Sequence, residues 1–199
     1  MTKTAALSLA APQRLLIRGV NWLGDAVMSM PALQRLRECL PSTHLTVLTP
    51  EKLQDLYLMQ PAVNGVITFP SDARVREVAR RIGRDQFDVG LIFPNSPRSA
   101  LELWLAKIPV RIGYARPWRR WLLTHPVFVP PMWRPMRKRS VGEIRRLIAS
   151  PDQRSMAEPL PGAHHIHQYL GLAAAFECAG AGAPARLDVT AEQDRKSVV

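Results

Sequence analysis

Two cysteines in 199 residues are too few for a disulfide framework. Cys39 and Cys178 lie far apart, each within an apolar helical pattern, so we expect buried, reduced thiols. Long apolar runs are also missing, since no window approaches the roughly 20 residues that a membrane-spanning helix needs. Residues 1–13 have a short Ala/Leu stretch without a convincing cleavage site. We therefore expect a flexible tail there, on a cytoplasmic protein.

Acidic residues are absent from Leu103 to Gly142, although the same stretch holds nine Lys or Arg. Four of the five tryptophans fall there too. A basic, Trp-rich segment suits a nucleic acid, an anionic membrane surface or a phosphorylated ligand. The alternative is a solvated basic face whose tryptophans close a core, and composition alone does not decide between these.

Two familiar phosphate-binding motifs are missing from the first glycine loop. Residues 19–25 read Gly-Val-Asn-Trp-Leu-Gly-Asp, which is neither Gly-x-Gly-x-x-Gly nor the phosphate loop that ends in Gly-Lys-Ser/Thr. Asp25 stands where that Lys would be, which disfavours a phosphate cradle and makes a nicotinamide dehydrogenase a poor fit. The carboxylate is either an N-cap of the helix that follows or a reactive group held over a cleft.

Strand and helix signals alternate through the first two-thirds of the chain, and 47% of all residues are apolar. This alternation predicts an α/β fold with a mainly parallel, Rossmann-like sheet and helices on both faces. The predicted strands are 14–18, 44–49, 65–69, 87–93 and 111–114, with a short one at 127–129. The predicted helices are 25–40, 51–59, 73–85, 98–106, 141–149 and 165–178.

Two polar loops follow predicted strands and should open on the same edge of the sheet, where ligands bind in such folds. One carries Asp25 and the other carries Asn95 and Ser96, whose amide and hydroxyl groups suit sugar hydroxyls. The alternative for the second loop is a turn that caps the next helix. Arg98 opposes the dipole at that helix start, so local helix stability does not explain it, and a role facing an anion is plausible.

No metal site is expected. His164, His165 and His167 lack the spacing of three or four that one helix face requires, and no carboxylate stands nearby. We interpret them as surface and packing residues. Asp85 and Asp88 are interpreted as loop polarity before a buried strand and not as metal ligands.

Five blocks resemble the ADP-heptose:lipopolysaccharide heptosyltransferases of glycosyltransferase family 9, with the heptosyltransferase II branch most similar. The opening loop and helix start carry the resemblance furthest, and the other blocks follow in the same order. Together they cover residues 14–128 and 164–190, whereas 131–163 matches poorly. The blocks are 19–31, 87–100, 108–114, 118–124 and 165–173.

The resemblance implies the amino-terminal half of a GT-B glycosyltransferase that transfers heptose from ADP-heptose to the lipopolysaccharide inner core with inversion. Asp25 maps onto the presumed catalytic base of the family. No metal or other cofactor is implied. The partners would be a lipid-linked sugar acceptor, the nucleotide-sugar donor and the anionic surface of the inner membrane on its inner face. No nucleic acid is expected as a partner. The residues expected to bind substrate are Gly24, Asn95, Ser96, Arg98, Arg116, Arg119 and Arg120.

The expected organisation is an acceptor-binding domain over 14–184, irregular at 131–163, followed by the start of a linker at 185–199. Family members exceed three hundred residues, so the donor-binding domain is expected to be absent and this chain inactive alone. The alternative function is a non-catalytic basic module that binds nucleic acid or anionic lipid. That alternative leaves Asp25 and the Asn95-Ser96 loop without a purpose.

Overall fold

The structure, a computed structural model, describes residues 11–128 and 165–178, together with the isolated positions 142 and 145. Strands and helices alternate from the start of the described part. The strands are β1 (Arg14–Arg18), β2 (His44–Pro50), β3 (Gly65–Phe69), β4 (Val89–Ile92), β5 (Val110–Tyr114) and β6 (His125–Val127). The helices are α1 (Leu23–Cys39), α2 (Gln54–Leu58), α3 (Val75–Ile82), α4 (Pro97–Leu105) and α5 (Ile166–Ala173), with 3₁₀ segments at Glu51–Leu53, Arg120–Leu122 and Ala174–Phe176.

The six strands form one parallel sheet in the order β3-β2-β1-β4-β5-β6. The order reverses between β1 and β4, which pair directly from Leu15 opposite Val89 to Arg18 opposite Ile92. Beyond that pairing, the Phe93 amide donates to the Arg18 carbonyl oxygen at 3.2 Å. The loops after β1 and β4 therefore begin side by side at the switch point, where open α/β sheets bind ligands.

Both faces of the sheet are covered, which explains why the central strands are apolar at nearly every position. One core layer lies between the sheet and helices α1, α2 and α5, and includes Ile17, Leu33 and Leu172. The other lies under α3 and α4 and includes Leu16 and Leu103. The predicted α/β, Rossmann-like fold with helices on both faces is confirmed.

Glycine in β4 lets α4 approach this sheet closely. A Cβ built on Gly90 would lie 2.3 Å from Leu103 Cδ2, a separation that packed side chains do not reach. Because α4 carries the loop of Asn95 and Ser96 at its start, this close packing also sets the height of that loop above the sheet edge.

The predicted element bounds hold within a few residues, with informative exceptions. The short strand after β5 lies at His125–Val127, two residues earlier than expected, because pairing with β5 fixes its register from Ile112 opposite His125 onward. Pro12 and Gln13, the last residues of the predicted tail, are attached to the sheet. The Thr43 hydroxyl and the His44 amide donate to the carbonyl oxygens of Pro12 and Gln13 and tie both residues to the sheet.

The two cysteines, 139 positions apart, meet where α1 and the segment after α5 pack together. Both are free thiols, and Cys178 is buried whereas Cys39 is half-buried. Burial, followed by a hydrogen bond with Cys39, raises the pKa of Cys178 to about 12. The predicted helix at 141–149 and the irregular segment 131–163 lie outside the described residues, apart from the two isolated positions.

A buried ion pair joins β1 to α4 beneath the switch point. Arg18 Nε donates to Glu102 Oε2 at 2.8 Å, and the two side chains are only 2% and 0% exposed. The same guanidinium donates to the Gly19 carbonyl oxygen and, at 3.2 Å, to Asn21 Oδ1. It also lies 4.6 Å from the centre of the Phe69 ring. Arg18 thus fixes the loop after β1 from below.

Replacing Glu102 with Leu should lower the free energy of unfolding by about 3–5 kcal/mol, because Arg18 would keep its charge in the core without a partner. The double variant Arg18→Met/Glu102→Leu should recover most of that loss, since two apolar side chains carry no charge into the core. Urea unfolding monitored by Trp fluorescence measures both.

The matched control is Glu38→Gln, which removes an exposed ion pair with Arg35 at 2.8 Å. Its effect should stay within about 1 kcal/mol. If Glu102→Leu costs no more than this control, the buried pair does not hold β1 and α4 together.

Candidate active site at the carboxyl edge of the sheet

Asp25 does not cap helix α1. The N-cap position is Trp22, which makes no side-chain capping hydrogen bond, and Asp25 lies in the first helical turn. A carboxylate there is still favoured by the helix dipole. Its side chain is 31% exposed, so it is neither buried nor fully solvated. Of the two interpretations that the sequence left open, the N-cap is wrong, and a reactive group held over a cleft stays a prediction.

The carboxylate lies next to His165, the first of a row of three aromatic rings at the start of α5 and just beyond β4. Its Oδ1 is 3.6 Å from His165 Nδ1. The His165 ring is 5.7 Å from that of Tyr169, which in turn lies 5.1 Å from that of Phe93 beside the second loop. Burial and then the negative charge of Asp25 raise the pKa of Tyr169.

Tyr57 from α2 is buried within electrostatic reach of Asp25. Burial raises its pKa to about 12, with Asp25 adding to the increase, while the nearby Ser29 hydroxyl and the charge of Arg18 act against it. Its hydroxyl oxygen would lie 3.3 Å from a Cβ on Gly19, so a glycine there leaves room for it. Two buried, neutral phenols from α2 and α5 therefore lie within electrostatic reach of the Asp25 carboxylate.

The second loop, which follows β4 next to the end of β1, carries Asn95 and Ser96. Ser96 is the N-cap of α4, because its Oγ accepts a hydrogen bond from the Ser99 amide at 3.2 Å. Capping therefore accounts for Ser96 without a ligand. Asn95 is exposed. A sugar-binding role for either residue stays a prediction.

Arg98 has structural partners that the sequence did not reveal. Its Nε donates to Glu102 Oε1 at 3.0 Å, and its Nη2 donates to the Ala73 carbonyl oxygen. This i,i+4 ion pair explains why a cation is tolerated at a helix start. The side chain remains 45% exposed, so an additional contact with an anion stays a prediction.

Arg119 is withdrawn from solvent, with 0% of the residue exposed. Its Nη1 donates to the Pro94 carbonyl oxygen in the loop after β4, while its Nε and Nη2 are buried with no hydrogen-bond partner in the described part of the chain. Burial, followed by the charge of Arg116, lowers its pKa to about 10. Contact with an acceptor, which stays a prediction for this residue, would require its loop to open.

The remaining predicted residues are accessible. Arg120 is exposed and lies 5.6 Å from the centre of the Phe128 ring, and Arg116 is half-buried. Gly24 is exposed, and a Cβ on it would meet nothing within 4 Å. The open space above Gly24 leaves room for a ligand next to Asp25. The substrate-binding role of Gly24 stays a prediction.

His165 is the residue that sequence reasoning missed. It was interpreted as a surface or packing histidine without a nearby carboxylate, yet the fold brings it to Asp25 across 140 positions. Spacing along the chain carries no signal for such a contact. Within the described residues, no group of three or more His, Cys, Asp or Glu could hold a metal ion. His164 lies outside them.

Comparison with curated proteins finds heptosyltransferases. The chain is 33% identical over 106 residues to lipooligosaccharide heptosyltransferase 2 of Haemophilus ducreyi, which covers 51% of this chain and 30% of that protein. It is also 30% identical over 116 residues to lipopolysaccharide heptosyltransferase 2 of Escherichia coli. That match covers 55% of this chain and 33% of the E. coli protein. The resemblance to heptosyltransferase II is confirmed.

Solved structures show the same fold. The E. coli ADP-heptose lps heptosyltransferase II superposes with a TM-score of 0.66 at 21% identity, covering 92% of this chain and 49% of that one. A glycosyl transferase family 9 protein from Veillonella parvula gives 0.67 at 19% identity, covering 94% and 47%. No family model matches. The chain spans about a third of the length of its curated relatives and just under half of these solved chains.

The buried position of the Arg119 side chain can be tested by substituting Gly113 in β5. A Cβ on Gly113 would lie 2.5 Å from Arg119 Nη2, so Gly113→Ala must displace the guanidinium. We expect a loss of about 1–3 kcal/mol in the free energy of unfolding, as for overpacking of a core. Urea unfolding measures the loss, and the NMR signal of Arg119 Nε–H reports the displacement.

Gly24→Ala is the matched control, because the added methyl group enters open space in a helix and should leave stability unchanged or slightly higher. Equal stability of the two variants would mean that Arg119 does not occupy the described position.

Proposed function

We propose that this chain supplies the acceptor-binding part and the catalytic base of an inverting heptosyltransferase. The enzyme would transfer heptose from ADP-heptose to the inner core of lipopolysaccharide. The observation that carries the proposal is the partly exposed Asp25 carboxylate at the β1/β4 switch point, in a chain about 30% identical to heptosyltransferases over half its length.

The proposed step needs one base and no metal. Asp25 takes the proton from the acceptor hydroxyl while that oxygen forms a bond to the anomeric carbon of heptose. The bond from this carbon to the β-phosphate oxygen breaks on the opposite side, and ADP leaves with the electron pair. Attack from the side opposite the leaving group inverts the configuration. The low-polarity wall of Phe93 and Tyr169 strengthens the attraction between the carboxylate and the proton that it receives.

The acceptor is proposed to be an anionic, lipid-linked sugar. Arginine forks match carboxylate and phosphate groups, and two of the arginines near the loops after β4 and β5, Arg116 and Arg120, are accessible. Asn95 and Ser96 would contact sugar hydroxyls. Arg98 and Arg119 would hold the loop after β4, which carries both of these residues. Gly24 would leave space for the sugar beside Asp25.

We further propose that the groups binding ADP-heptose lie in the part of the relatives that this chain does not match. Residues 14–184 would then be the acceptor domain of a two-domain GT-B enzyme. Transfer by these 199 residues alone is expected to be negligible, because nothing in the proposed mechanism holds the donor in line with the acceptor.

Exposed aromatic and basic side chains at the carboxyl edge of the sheet support peripheral contact with an anionic bilayer. Trp118 is 82% exposed in the loop after β5, and Phe128 is 60% exposed just beyond β6, with the Arg120 guanidinium over its ring. Indole rings and arginines favour the headgroup region of a membrane. In the described residues, no helix has the length and apolar character needed to cross a bilayer.

Asp25→Asn should lower turnover by about 10²- to 10⁴-fold, the usual contribution of a general base, and leave acceptor affinity unchanged. Turnover is measured as heptose transfer from ADP-heptose to heptose-deficient lipopolysaccharide. The native polypeptide used for it is the one that joins these residues to the proposed donor-binding part. Affinity for that lipopolysaccharide is measured on the 199-residue chain by calorimetry.

Asp55→Asn on α2, an exposed acid, is the matched control and should change neither quantity. Full turnover in Asp25→Asn would remove this carboxylate from the mechanism.

Replacing Trp118 and Arg120 with Ala should weaken binding to phosphatidylglycerol vesicles by at least about fivefold, since one basic residue near an anionic surface contributes about 1 kcal/mol. Co-sedimentation at low and high salt measures the change, and phosphatidylcholine vesicles show the charge dependence.

Trp104→Ala serves as the control, because that tryptophan is also exposed but lies near the end of α4, at the opposite edge of the sheet. An equal loss from Trp104→Ala would mean that the carboxyl edge is not the membrane-facing edge.

A further inference from the structure

The nitrogen of His165 that faces Asp25 is buried without a partner. His165 is at the N-cap position of α5, and its Nδ1 lies 3.6 Å from Asp25 Oδ1. That nitrogen is shielded from solvent and makes no hydrogen bond, although the residue as a whole is half-buried. A buried polar atom left unpaired is costly, so a partner is expected at this position. Among the described contacts, the group next to this nitrogen is the Asp25 carboxylate.

The imidazole is held by its surroundings and cannot easily turn away. One side of the ring contacts Tyr169, at 5.7 Å between ring centres. Helix α5 is itself fixed to the sheet, because the Tyr114 hydroxyl donates to the Gln168 carbonyl oxygen at 2.7 Å. In this arrangement the ring presents Nδ1 to Asp25.

The separation of 3.6 Å exceeds a hydrogen bond by a few tenths of an ångström. Catalytic hydrogen bonds are often loose before the substrate binds and shorten in the reacting complex. Closing the gap to a hydrogen bond requires Nδ1 and Oδ1 to approach by a few tenths of an ångström. The shortened contact would satisfy the buried nitrogen and hold one of the two carboxylate oxygens.

We propose that His165 is a positioning residue for Asp25. Its Nδ1–H donates to Asp25 Oδ1 and fixes the carboxylate so that Oδ2 faces the acceptor hydroxyl. The proton of that hydroxyl passes to Oδ2, while His165 keeps its own proton throughout. The proposal rests on the proposed function for the role of Asp25, but the contact between the two side chains is testable without transfer.

The tautomer of His165 is the direct test. Free histidine prefers the Nε2–H form when neutral, whereas a donor at Nδ1 requires the Nδ1–H form. Long-range ¹H–¹⁵N spectra of the 199-residue chain, recorded well above the ordinary histidine pKa of about 6.5, should show Nδ1–H for His165. Asp25→Ala should return it to Nε2–H. His167, exposed two positions along, should show Nε2–H in both.

Substitutions of His165 separate positioning from packing. The side-chain NH₂ of His165→Asn can occupy the place of Nδ1–H, whereas that of His165→Gln occupies the place of Nε2. Turnover of the native polypeptide should fall about tenfold to a hundredfold in His165→Gln and His165→Ala, with KM for the acceptor unchanged. His165→Asn should restore most of the turnover, and His167→Ala should have no effect.

The outcomes distinguish the two proposals. An Nε2–H tautomer in the unaltered chain, or an Nδ1–H form that persists in Asp25→Ala, overturns the pairing even if Asp25→Asn abolishes transfer. Equal turnover in His165→Ala and the unaltered protein overturns the positioning role. Full turnover in Asp25→Asn, with the Nδ1–H tautomer present, instead overturns the proposed function and leaves only a structural contact.

Discussion

The buried pair of Arg18 and Glu102 is the constraint on which the edge of this sheet depends. Arg18 ends β1 and Glu102 lies in the middle of α4, so their contact fixes the strand before one site loop to the helix after the other. The remaining hydrogen bonds of Arg18 go to Gly19 and Asn21 in the first loop. Glu102 uses its second oxygen to hold Arg98 at the start of α4. One carboxylate and one guanidinium thus connect both loops from below.

The arginines near these two loops fall into two groups with different roles. Arg18, Arg98 and Arg119 bind carbonyl oxygens or Glu102 and hold the loops in place. Arg116 and Arg120 are accessible and available to an anionic ligand or surface. The net charge of +11 therefore overstates the cations that a partner can meet, because part of it is used to build the edge itself.

Above these supports, the walls of the site are mainly aromatic and come from distant parts of the chain. Phe93 follows β4, Tyr57 lies in α2, and His165 and Tyr169 lie at the start of α5 and one turn into it. The two loops present a carboxylate and an amide in front of this wall. The Asp25 carboxylate is 31% exposed, so the proposed base is partly shielded and still open to a ligand.

The alternation of strand and helix signals was enough to predict the sheet, its coverage on both faces and the edge from which the loops after β1 and β4 leave. Such features follow from local periodicity and from the rule that parallel strands end at one edge. The roles of Arg98 and Arg119 could not be predicted, because burial and ion pairing depend on which helix packs over which strand. The partner of Asp25 was beyond reach for the same reason. His165 lies 140 positions away, and only the packing of α5 against α1 brings its imidazole to the carboxylate.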